Sequence, residues 1–349
     1  MSGNADPLDG KSVLITGVCG TVGHELLRQI ISRNPKEIVG LDNNEEGLFF
    51  LTEECRPFPN VRLFLGDIRD RDELMRKMRG IDIVLHAAAF KHVILCEQSP
   101  QNAVQTNILG TQNVIDASIA AGVSRVLFTS SDKAVNPTNV MGTSKLMGER
   151  LITAANAHRK EGGPIFAATR FGNVLGSRGS VIPLFRRQIA ARGPLTLTDS
   201  RMTRFIMTLA EAVSLVMDSV FLAKGGEVFV TKMPVARIED LARAMIDLLA
   251  PKHGHRPEDI EIRTIGAKAG EKVYEELMNE EETRRTMELA RYFVVLPAFK
   301  SVYEDIEYRY PNVLAEEVSN PYNSSIEAAM SQDELRAYLL IHGLVDEIR

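Results

Sequence analysis

One stretch of the chain, residues 125–150, holds side chains that could transfer protons beside the elements that would position them. It predicts a buried strand over Val126–Thr129, a polar loop over Ser130–Asn139 and a helix that begins near Met141. Ser131, Asp132 and Lys133 would lie at the carboxyl end of the strand, where open α/β sheets bind their ligands. An adjacent carboxyl and amine can serve as acid and base if their surroundings tune both pKa values. The alternative is an ion pair that only fixes the loop.

The helix after this loop carries two residues of interest, Met141 and Lys145. Lys145 lies four residues after Met141, so the two side chains share one helix face. The pattern resembles the short-chain dehydrogenase/reductase active site, in which a strand-end Ser or Thr precedes a Tyr-x-x-x-Lys helix. In those enzymes the Tyr hydroxyl moves a proton and the Lys lowers its pKa, whereas Met141 has no proton to transfer. We expect Lys145 to contact a ribose hydroxyl; the alternative is a solvated lysine.

No tyrosine offers a replacement in the sequence, because all seven lie in the last quarter of the chain and none lies near this helix. Two hypotheses therefore remain open. Either the protein binds a dinucleotide without catalysis, or another group carries out the acid–base chemistry. The neighbouring Asp132 and Lys133 favour the second hypothesis.

The composition excludes several classes of protein. With 349 residues, 44% hydrophobic and 25% charged, the chain can hold one large α/β domain with a subdomain, or two domains. A net charge of −5 leaves no basic excess for nucleic acid or anionic lipid. No apolar run approaches the ~20 residues that span a bilayer, and the first residues do not resemble a signal peptide. We expect a cytoplasmic protein that binds neither nucleic acid nor a membrane.

Metal sites and disulfides are not expected either. The three cysteines are widely spaced and form no C-x-x-C motif, which predicts reduced thiols. Seven scattered histidines without a close carboxylate cluster predict no metal site. The pair His253 and His255 is interpreted as part of a surface loop.

Apolar runs of strand length alternate with helical patterns through the first 170 residues. The predicted strands are Lys11–Thr16, Ile38–Leu41, Val61–Leu65, Ile81–His86, Val126–Thr129 and Ile165–Arg170. The predicted helices run from a glycine-rich turn to about Arg33, over Arg71–Met78, over about Pro100–Ala121 and over about 143–159. This alternation predicts an α/β protein with a doubly wound parallel sheet, the Rossmann arrangement.

The pattern becomes less regular after residue 171, which indicates an interleaved second unit. We predict a flexible lead-in over 1–10, a cofactor-binding Rossmann domain over 11–171 plus about 227–259, and a smaller substrate-binding subdomain over about 172–226 and 260–349. A strand and a helix after residue 226 would return to the main sheet. Residues 270–278 are predicted as a turn and a helix.

Three glycines, Gly17, Gly20 and Gly23, follow the first predicted strand and open the first helix. Such a turn lets a dinucleotide pyrophosphate approach the backbone closely and reach a helix N-terminus. Asp42 ends the second strand, where a carboxylate can bind the adenosine ribose hydroxyls and repel a 2′-phosphate. No arginine follows it until Arg56, so NAD is favoured over NADP. The alternative is a glycine turn beside a solvated aspartate.

The order of these motifs is similar to that in the extended short-chain dehydrogenases. The resemblance implies that Asp67 and Ile68 flank the adenine and that Ala87 and Ala88 line the nicotinamide side. The expected cofactor-binding residues are then Gly17, Gly20, Thr21, Val22, Gly23, Asp42, Asn43, Asp67, Ile68, Ala87, Ala88 and Lys145.

Seven sequence blocks narrow the resemblance to one family. They are His86–Val93, Ser131–Ala134, Asn136–Lys145, Arg170–Val174, Ser177–Pro183, Met202–Phe205 and Gly270–Glu276. Together they look like the nucleotide-sugar 4,6-dehydratases of bacterial polysaccharide and glycan synthesis, the UDP-N-acetylglucosamine group related to capsule and flagellin-glycosylation enzymes. The resemblance covers about residues 11–280. Some members carry Tyr at the position of Met141 and others carry Met; many Met-type members have membrane-spanning N-terminal segments, and this chain resembles a soluble version.

The resemblance implies a mechanism. Hydride leaves sugar C4 for NAD, Lys133 removes the C5 proton, Asp132 protonates the departing C6 hydroxyl, and hydride returns to C6. Lys133 must be neutral to act as a base, and we expect burial and the nearby Lys145 to lower the pKa of its amine. Without a tyrosine, the C4 hydroxyl proton would go to Asp132 or, as a second choice, to a water held by Lys145.

The resemblance also implies substrate contacts. The nucleotide diphosphate and base are expected at Asn173, Ser180, Val181 and Arg204, the sugar at Lys91 and His92, and further contacts at Lys268 and Glu271. The family's usual Arg-Pro before Gly-Glu-Lys is Lys268-Ala269 here, which leaves that phosphate contact open. For Arg204 the alternative is a surface salt bridge, and for His92 it is loop packing.

The leading hypothesis is an NAD-dependent 4,6-dehydratase of a UDP-N-acetylhexosamine, with UDP-N-acetylglucosamine first. A nucleotide-sugar 4-epimerase would lack its tyrosine and leave Asp132 and Lys133 unexplained. A non-catalytic NAD-binding sensor or scaffold predicts that both residues can be replaced without loss of function. By resemblance, the helices around 100–121 and 143–159 pair with their copies, which predicts a homodimer or a higher homo-oligomer. The C5 configuration stays open, although Asp42 is more typical of the retaining members.

Overall fold

The computed structural model describes residues 6–157, 162–177, 180–266, 270–299 and 306–345. The strands are β1 (Ser12–Thr16), β2 (Glu37–Asp42), β3 (Val61–Leu65), β4 (Ile83–His86), β5 (Arg125–Ser131), β6 (Ile165–Phe171), β7 (Asn173–Val174), β8 (Leu195–Leu197), β9 (Thr203–Met207), β10 (Val228–Thr231), β11 (Val235–Arg237), β12 (Ile262–Thr264), β13 (Glu276–Met278), β14 (Thr286–Leu289), β15 (Tyr292–Val295), β16 (Val313–Ala315) and β17 (Tyr322–Asn323). The helices are α1 (Thr21–Ile31), α2 (Glu45–Cys55), α3 (Arg71–Lys77), α4 (Val93–Gln98), α5 (Pro100–Ala103), α6 (Gly110–Ala121), α7 (Val140–Ala154), α8 (Val181–Ala190), α9 (Leu209–Leu222), α10 (Ile238–Leu249), α11 (Glu280–Thr283) and α12 (Gln332–Ile341).

Ten of the described strands form one sheet, in the order β16-β14-β15-β10-β6-β5-β4-β1-β2-β3. The seven strands from β10 to β3 are parallel to their neighbours. At the other edge three strands extend the sheet with antiparallel pairing: β15 pairs with β10, β14 with β15 and β16 with β14. The strand order reverses at β1 and β4, and open α/β sheets bind ligands in the crevice at such a point. The predicted doubly wound Rossmann sheet is confirmed.

The register of the parallel strands brings their carboxyl ends to one edge of the sheet. Thr16 at the end of β1 pairs with Leu41 of β2 and with His86 of β4, and His86 pairs with Phe128 of β5. The glycine-rich turn, the end of β2 and the loop after β5 therefore surround one crevice. Strands β1 and β4 are buried along their whole length, which explains their continuous apolar sequences.

Residues 270–278 and helix α2 are two of the places where the structure differs from the sequence prediction. Residues 270–278, predicted as a turn and a helix, instead end in strand β13, because Glu276 pairs with β17 from far along the chain. Helix α2 has no counterpart in the prediction. Its residues Phe49 and Phe50 are exposed, so the sequence lacks the one-sided apolar pattern that would predict a helix. The side chain of Asn44 caps the helix by accepting the backbone N–H of Gly47.

A second apolar cluster packs α8, α10 and α12 together beside the main core. It includes Ile182 and Phe185 of α8, Leu241 and Met245 of α10, and Leu335 of α12. Strand β10 joins the main sheet beside β6. Helix α10 was predicted to return to the main sheet together with this strand, but it packs in the second cluster instead. The borders of the two predicted domains stay a prediction.

Candidate active site

The glycine-rich turn after β1 has no room for a side chain at two positions. Gly17 has a φ of +73°, and a Cβ there would lie 2.7 Å from the Cα of Ala88. A Cβ at Gly23 would lie 2.1 Å from the carbonyl oxygen of Gly17. Gly20 closes the turn by donating its N–H to the same oxygen at 3.0 Å. The turn therefore presents bare backbone at the N-terminus of α1, with Ala87 and Ala88 half-buried against it.

Two side chains beside this turn fit the adenosine half of a dinucleotide. Asp42 accepts the backbone N–H groups of Cys19 at 2.9 Å and Asn44 at 3.0 Å, which fixes its carboxylate beside the turn. Thr21, the first residue of α1, has a buried hydroxyl without a hydrogen-bond partner in the described part of the chain. A phosphate at the helix N-terminus would give that hydroxyl an acceptor. Val22 packs against the main core.

Asp67 and Asn43 meet at the ends of β3 and β2. Arg69 Nε lies 3.0 Å from both carboxylate oxygens of Asp67. Hydrogen bonds from Arg69, and a further one from Asn43, hold the pKa of Asp67 below its ordinary value. Ile68 is buried, and Asn113 of α6 donates to its carbonyl oxygen at 3.1 Å. Arg69 and Asn113 thus shape the predicted adenine side, although the sequence analysis did not select them.

A buried chain of hydrogen bonds connects the ends of β1 and β4 to α6. The Thr16 hydroxyl donates to His86 Nδ1 at 2.7 Å, and His86 Nε2 donates to the Thr111 hydroxyl at 3.1 Å. We assign this tautomer because the Thr111 hydroxyl itself donates to the carbonyl oxygen of Asn107. Burial, with a contribution from Lys145, lowers the pKa of His86 to about 3. The imidazole is therefore neutral and holds the strand ends in place.

The long helical run between α5 and α6 contains a π-helical segment, Val104–Leu109, of the kind that often marks a functional site. Within it, Asn107 accepts the Phe90 N–H at 2.8 Å and donates to the Phe90 carbonyl oxygen at 3.0 Å. Asn107 also donates to the Ser144 hydroxyl oxygen at 2.9 Å. It therefore joins the loop after β4 to helix α7. Its role was not predicted, because Asn102 and Asn113 stand in the same polar helical stretch and the sequence does not single out Asn107.

Asp132 and Lys133 form an ion pair in the 3₁₀ turn that follows β5. Lys133 Nζ lies 3.1 and 2.9 Å from the two carboxylate oxygens of Asp132. The Ser131 hydroxyl donates to the same carboxylate at 2.7 Å. Asp132 is buried, whereas the side chain of Lys133 is 32% exposed. The structure thus brings the predicted acid and base together at the carboxyl end of β5.

The pKa of Lys133 moves in the direction opposite to the prediction. Burial lowers it, but the carboxylates of Asp132 and Glu275 outweigh burial and raise it above its ordinary value. Burial raises the pKa of Asp132, and Lys133 outweighs this, so that it lies below its ordinary value. The resting pair is therefore a carboxylate and an ammonium. The prediction that burial and Lys145 make Lys133 neutral is wrong, because two carboxylates dominate the surroundings of its amine.

A second buried carboxyl, Glu275, completes this cluster and has no place in the predicted site. Its Oε1 lies 3.6 Å from Lys133 Nζ and 3.2 Å from Arg204 Nε. Asn173 Nδ2 donates to both carboxylate oxygens at 3.3 Å. Burial, together with the Asp132 carboxylate, raises the pKa of Glu275 to about 7. The last sequence block of the family contains three glutamates, and the sequence does not show which of them turns inward.

Arg204 uses its N–H donors inside the protein. Its partners are the carbonyl oxygens of Thr203, Val273 and Lys272, the sulfur of Met202 and the carboxylate of Glu275. Because Arg204 is buried, the alternative of a surface salt bridge is wrong. The predicted contact to a diphosphate would require these bonds to be exchanged. In this conformation Arg204 instead fixes the segment that carries Glu275.

Met141 and Lys145 are both buried on one face of α7. Met141 packs with Cys96 and Ala103 in a small apolar cluster. Lys145 Nζ donates to the carbonyl oxygen of Thr129 at 2.9 Å. Burial lowers the pKa of Lys145 to about 8. The alternative of a solvated lysine is therefore wrong, while the contact to a ribose hydroxyl stays a prediction.

Ser180 and Val181 lie at the N-terminus of α8, as a predicted anion site requires. Ser180 is the residue before the first helical turn, and Val181 begins the helix. The Ser180 hydroxyl is buried and has no hydrogen-bond partner among residues 6–157, 162–177, 180–266, 270–299 and 306–345. A helix N-terminus with an unsatisfied hydroxyl fits an anionic group such as a diphosphate.

The other predicted substrate residues are on loops. Lys91 and His92 are exposed before α4, and His92 is the N-cap residue of that helix. Glu271 is exposed and lies 3.9 Å from Arg204. Lys268 lies outside the described residues. Within the described ranges no group of three or more His, Cys, Asp or Glu side chains could hold a metal ion, and the expectation of a metal-free site stays a prediction.

The sheet order, the glycine turn and the helix of Lys145 define the fold of the extended short-chain dehydrogenases/reductases. A solved structure of this fold is DesIV from Streptomyces venezuelae, a dTDP-glucose 4,6-dehydratase with NAD and TYD bound. It is 23% identical and has a TM-score of 0.66 over 75% of this chain and 86% of its own. At this identity the likeness shows the fold.

The family model described as polysaccharide biosynthesis protein matches residues 13–297, and the chain belongs to that family. The family predicted from the sequence is confirmed. The X-ray structure of Pen from Bacillus thuringiensis is 42% identical, with a TM-score of 0.89 over 97% of this chain and 99% of its own.

Three curated relatives show how the names within the family vary. An uncharacterized membrane protein of Methanocaldococcus jannaschii is 50% identical over 82% of this chain and 86% of its own length. A UDP-N-acetylglucosamine 4,6-dehydratase (inverting) of Campylobacter jejuni is 38% identical over 85% and 86%. A UDP-glucose 4-epimerase of Rickettsia felis is 35% identical over 97% of both chains. In the described part of the present chain, no helix is long and apolar enough to cross a membrane.

Proposed function

We propose that this chain is an NAD-dependent 4,6-dehydratase of a nucleotide-activated N-acetylhexosamine, with UDP-N-acetylglucosamine as its substrate. The observation that carries the proposal is the buried cluster of Asp132, Lys133 and Glu275 at the carboxyl end of β5. Loss of water across C5 and C6 of a 4-keto sugar needs a base at C5 and an acid at C6. The name of the Campylobacter jejuni relative supports the choice of substrate. The product would be UDP-2-acetamido-2,6-dideoxy-hexos-4-ulose, an intermediate for glycan synthesis.

The described residues fit NAD as the cofactor. The bare backbone of the turn at Gly17 and the unsatisfied hydroxyl of Thr21 suit a pyrophosphate at the N-terminus of α1. The carboxylate of Asp42, fixed by two backbone N–H groups, suits the ribose hydroxyls and repels a 2′-phosphate. The chemistry that NAD supplies is reversible hydride transfer, away from sugar C4 and back to C6.

The cluster residues would handle the protons of this reaction. Asp132 rests as a carboxylate, so it can accept the C4 hydroxyl proton. It would then give that proton to the C6 hydroxyl, which leaves as water. Lys133 would remove the proton from C5, which the neighbouring ketone makes acidic. Because Lys133 rests as an ammonium, it must first lose a proton of its own.

The substrate diphosphate would bind at the N-terminus of α8, where Ser180 has an unsatisfied hydroxyl. Arg204 would act indirectly, by holding Glu275 and its segment in place. Lys145, fixed by the Thr129 carbonyl oxygen, would contact a ribose hydroxyl. A homodimer formed through α6 and α7 stays part of the proposal.

The competing activity is 4-epimerisation, which the name of the Rickettsia felis relative favours. That reaction returns hydride to C4 and removes no water, so it needs neither a base at C5 nor an acid at C6. It also depends on acid–base exchange at C4, where the usual tyrosine is replaced by the buried Met141. The cluster therefore favours the dehydratase.

The experiment that tests the proposal is incubation of the protein with UDP-N-acetylglucosamine in deuterated water, followed by NMR of the sugar. We expect a 4-keto-6-deoxy product with deuterium at C5, and its coupling pattern gives the C5 configuration. Formation of UDP-N-acetylgalactosamine without a keto product would establish the epimerase instead. A sugar that stays unchanged, without exchange at C5, would contradict both activities on this substrate.

A further inference from the structure

A segment from the C-terminal part of the chain, residues 270–276, crosses the loop after β5; we call it the strap. Its attachments to that loop are Lys272 Nζ to the Val135 carbonyl oxygen (2.9 Å), Asn139 Nδ2 to the Gly270 carbonyl oxygen (3.2 Å) and Asn136 Nδ2 to Glu276 Oε2 (3.1 Å). The strap is therefore held against the loop at three points. It places Glu275 among the cluster residues.

The position of Glu275 is fixed on both its backbone and its side chain. The Ser324 N–H donates to the Glu275 carbonyl oxygen at 2.9 Å, and the Glu275 N–H donates to the Ser324 hydroxyl oxygen at 2.9 Å. The carboxylate faces Lys133 at 3.6 Å and Arg204 at 3.2 Å, and accepts two bonds from Asn173. Burying a carboxyl next to a second carboxyl is costly, and the bonds that hold Glu275 offset part of that cost.

The proposed reaction sets a requirement on the number of proton acceptors. The C4 hydroxyl proton and the C5 proton both leave the sugar before either is returned. In the short-chain dehydrogenases a tyrosine takes part in this exchange, and here the position holds Met141. Of the resting pair, the Asp132 carboxylate can accept one proton, whereas the Lys133 ammonium can accept none. A third group must therefore accept a proton.

We propose that Glu275 takes the surplus proton from the Lys133 ammonium, so that Lys133 meets the sugar C5 as a neutral amine. This inference rests on the proposed dehydration. Glu275 acts through Lys133, and it is therefore a positioning residue that also stores one proton. Its Oε1 lies 3.6 Å from Nζ.

The protons balance over one turnover. Lys133 gives one proton to Glu275, and Asp132 takes the C4 hydroxyl proton. Lys133 then removes the C5 proton, and Asp132 protonates the C6 hydroxyl, which leaves as water. Lys133 returns a proton to C5, and Glu275 finally returns its proton to Lys133. One water leaves with the C4 hydroxyl proton, and the cluster ends in its starting state.

The charges around Glu275 allow it to hold this proton. The groups that face it are Asp132 and Lys133 from the loop after β5 and Arg204 from β9. Burial and Asp132 raise its pKa to about 7, although the two cations lower it. A carboxyl with such a pKa accepts a proton more readily than an ordinary one.

The test compares three variants with the wild type by product formation and C5 deuterium incorporation between pH 6 and 9.5. The rate of the wild type should fall as the pH drops through about 7, because protonated Glu275 cannot accept another proton. Glu275→Gln should be about 10- to 100-fold slower at pH 7.5, with a rate that rises toward alkaline pH as Lys133 loses its proton to solvent. Glu275→Asp should recover part of the rate, and its rate should again fall as the pH becomes acidic. Glu276→Gln, on the same strap, is the matched control and should keep the wild-type profile.

A Glu275→Gln protein that binds NAD normally and keeps both the wild-type rate and the wild-type pH profile would overturn the inference while the dehydratase stands. If this variant does not fold, the wild type and Glu275→Asp decide, since the absence of any titration near pH 7 in both would overturn it as well. A wild type that forms no dehydrated product would instead overturn the proposed function, and the inference with it.

Discussion

Two buried clusters in this protein each place two carboxylates around one basic side chain. In the first, Arg170 binds Glu149 and Glu282 through pairs of bonds of 2.8–2.9 Å and donates a fifth bond to a carbonyl oxygen. In the second, Lys133 binds Asp132 closely and lies 3.6 Å from Glu275. The first cluster is sealed in the interior, whereas the lysine of the second is partly exposed at the crevice.

The comparison shows that the number of bonds, more than burial, decides what such a cluster can do. Burial raises the pKa of Glu282, but Arg170 outweighs it, so the carboxyl stays ionised. Burial raises the pKa of Glu275 to about 7, because its cations are farther away and a second carboxylate lies nearby. A guanidinium also keeps its proton, whereas an amine can lose one. The Arg170 cluster therefore holds the fold together, whereas the Lys133 cluster can move protons.

The largest effect is expected from Lys133→Met, which removes the base and leaves the crevice otherwise intact. Product formation from UDP-N-acetylglucosamine should fall about 10²- to 10⁴-fold. The free energy of unfolding should change by only about 1–2 kcal/mol, because the two remaining carboxyls can share a proton. The measurements are NMR product assays and urea unfolding. Lys133→Arg keeps the charge but cannot become neutral, so an active arginine variant would contradict the role of the lysine as a base.

Arg170→Met should instead lower the stability of the protein strongly and leave the binding of NAD intact. Glu149 and Glu282 would stay buried without their main counterion, and Arg285, 3.6 Å from Glu282, would replace only part of it. The free energy of unfolding should therefore fall by about 3–5 kcal/mol. The remaining folded protein should still bind NAD, because Arg170 lies outside the crevice loop. Adding Glu149→Leu should recover part of the loss, since it removes one of the orphaned charges. A loss below about 1 kcal/mol in urea unfolding would show that the clusters do not differ in the way described.

The two clusters also show what the sequence could predict. The sheet, the glycine turn, Asp42 and the pair Asp132 and Lys133 follow from short patterns at strand ends, and the structure arranges them around one crevice. Glu275 reaches the same crevice from the strap, far along the chain, and no local pattern predicts that approach. The protonation of Lys133 depends on that distant carboxylate, so it was predicted in the wrong direction.

Arg204 and residues 270–278 illustrate the same limit. The family resemblance implies that Arg204 binds the substrate diphosphate, a task that suits arginine, but the carbonyl oxygens of the strap occupy its donors. Residues 270–278 carry a helical pattern of their own, and their pairing with β17 makes them end in a strand. In both cases a partner distant in the sequence decides the outcome.

The smallest expected effect distinguishes the two clusters by the pH dependence of stability. The pKa of Glu275 is about 7 in the folded protein, above the ordinary value of 4.5 expected for the unfolded chain. Between these values the folded protein binds more protons than the unfolded chain, so this group lowers the free energy of unfolding as the pH rises. Glu275→Gln removes the contribution. Its stability relative to the wild type should therefore increase by about 1–3 kcal/mol from pH 5 to pH 8, measured by urea unfolding at each pH.

Glu282 supplies the control for this measurement, because its carboxyl is equally buried but has a lowered pKa. It is ionised in both the folded and the unfolded protein above pH 5, so its proton binding does not change on unfolding in this range. Glu282→Gln should destabilise the protein by the same amount at pH 5 and at pH 8. Parallel stability curves for the wild type and Glu275→Gln would mean that Glu275 is ionised throughout, and then neither cluster could exchange protons near neutral pH.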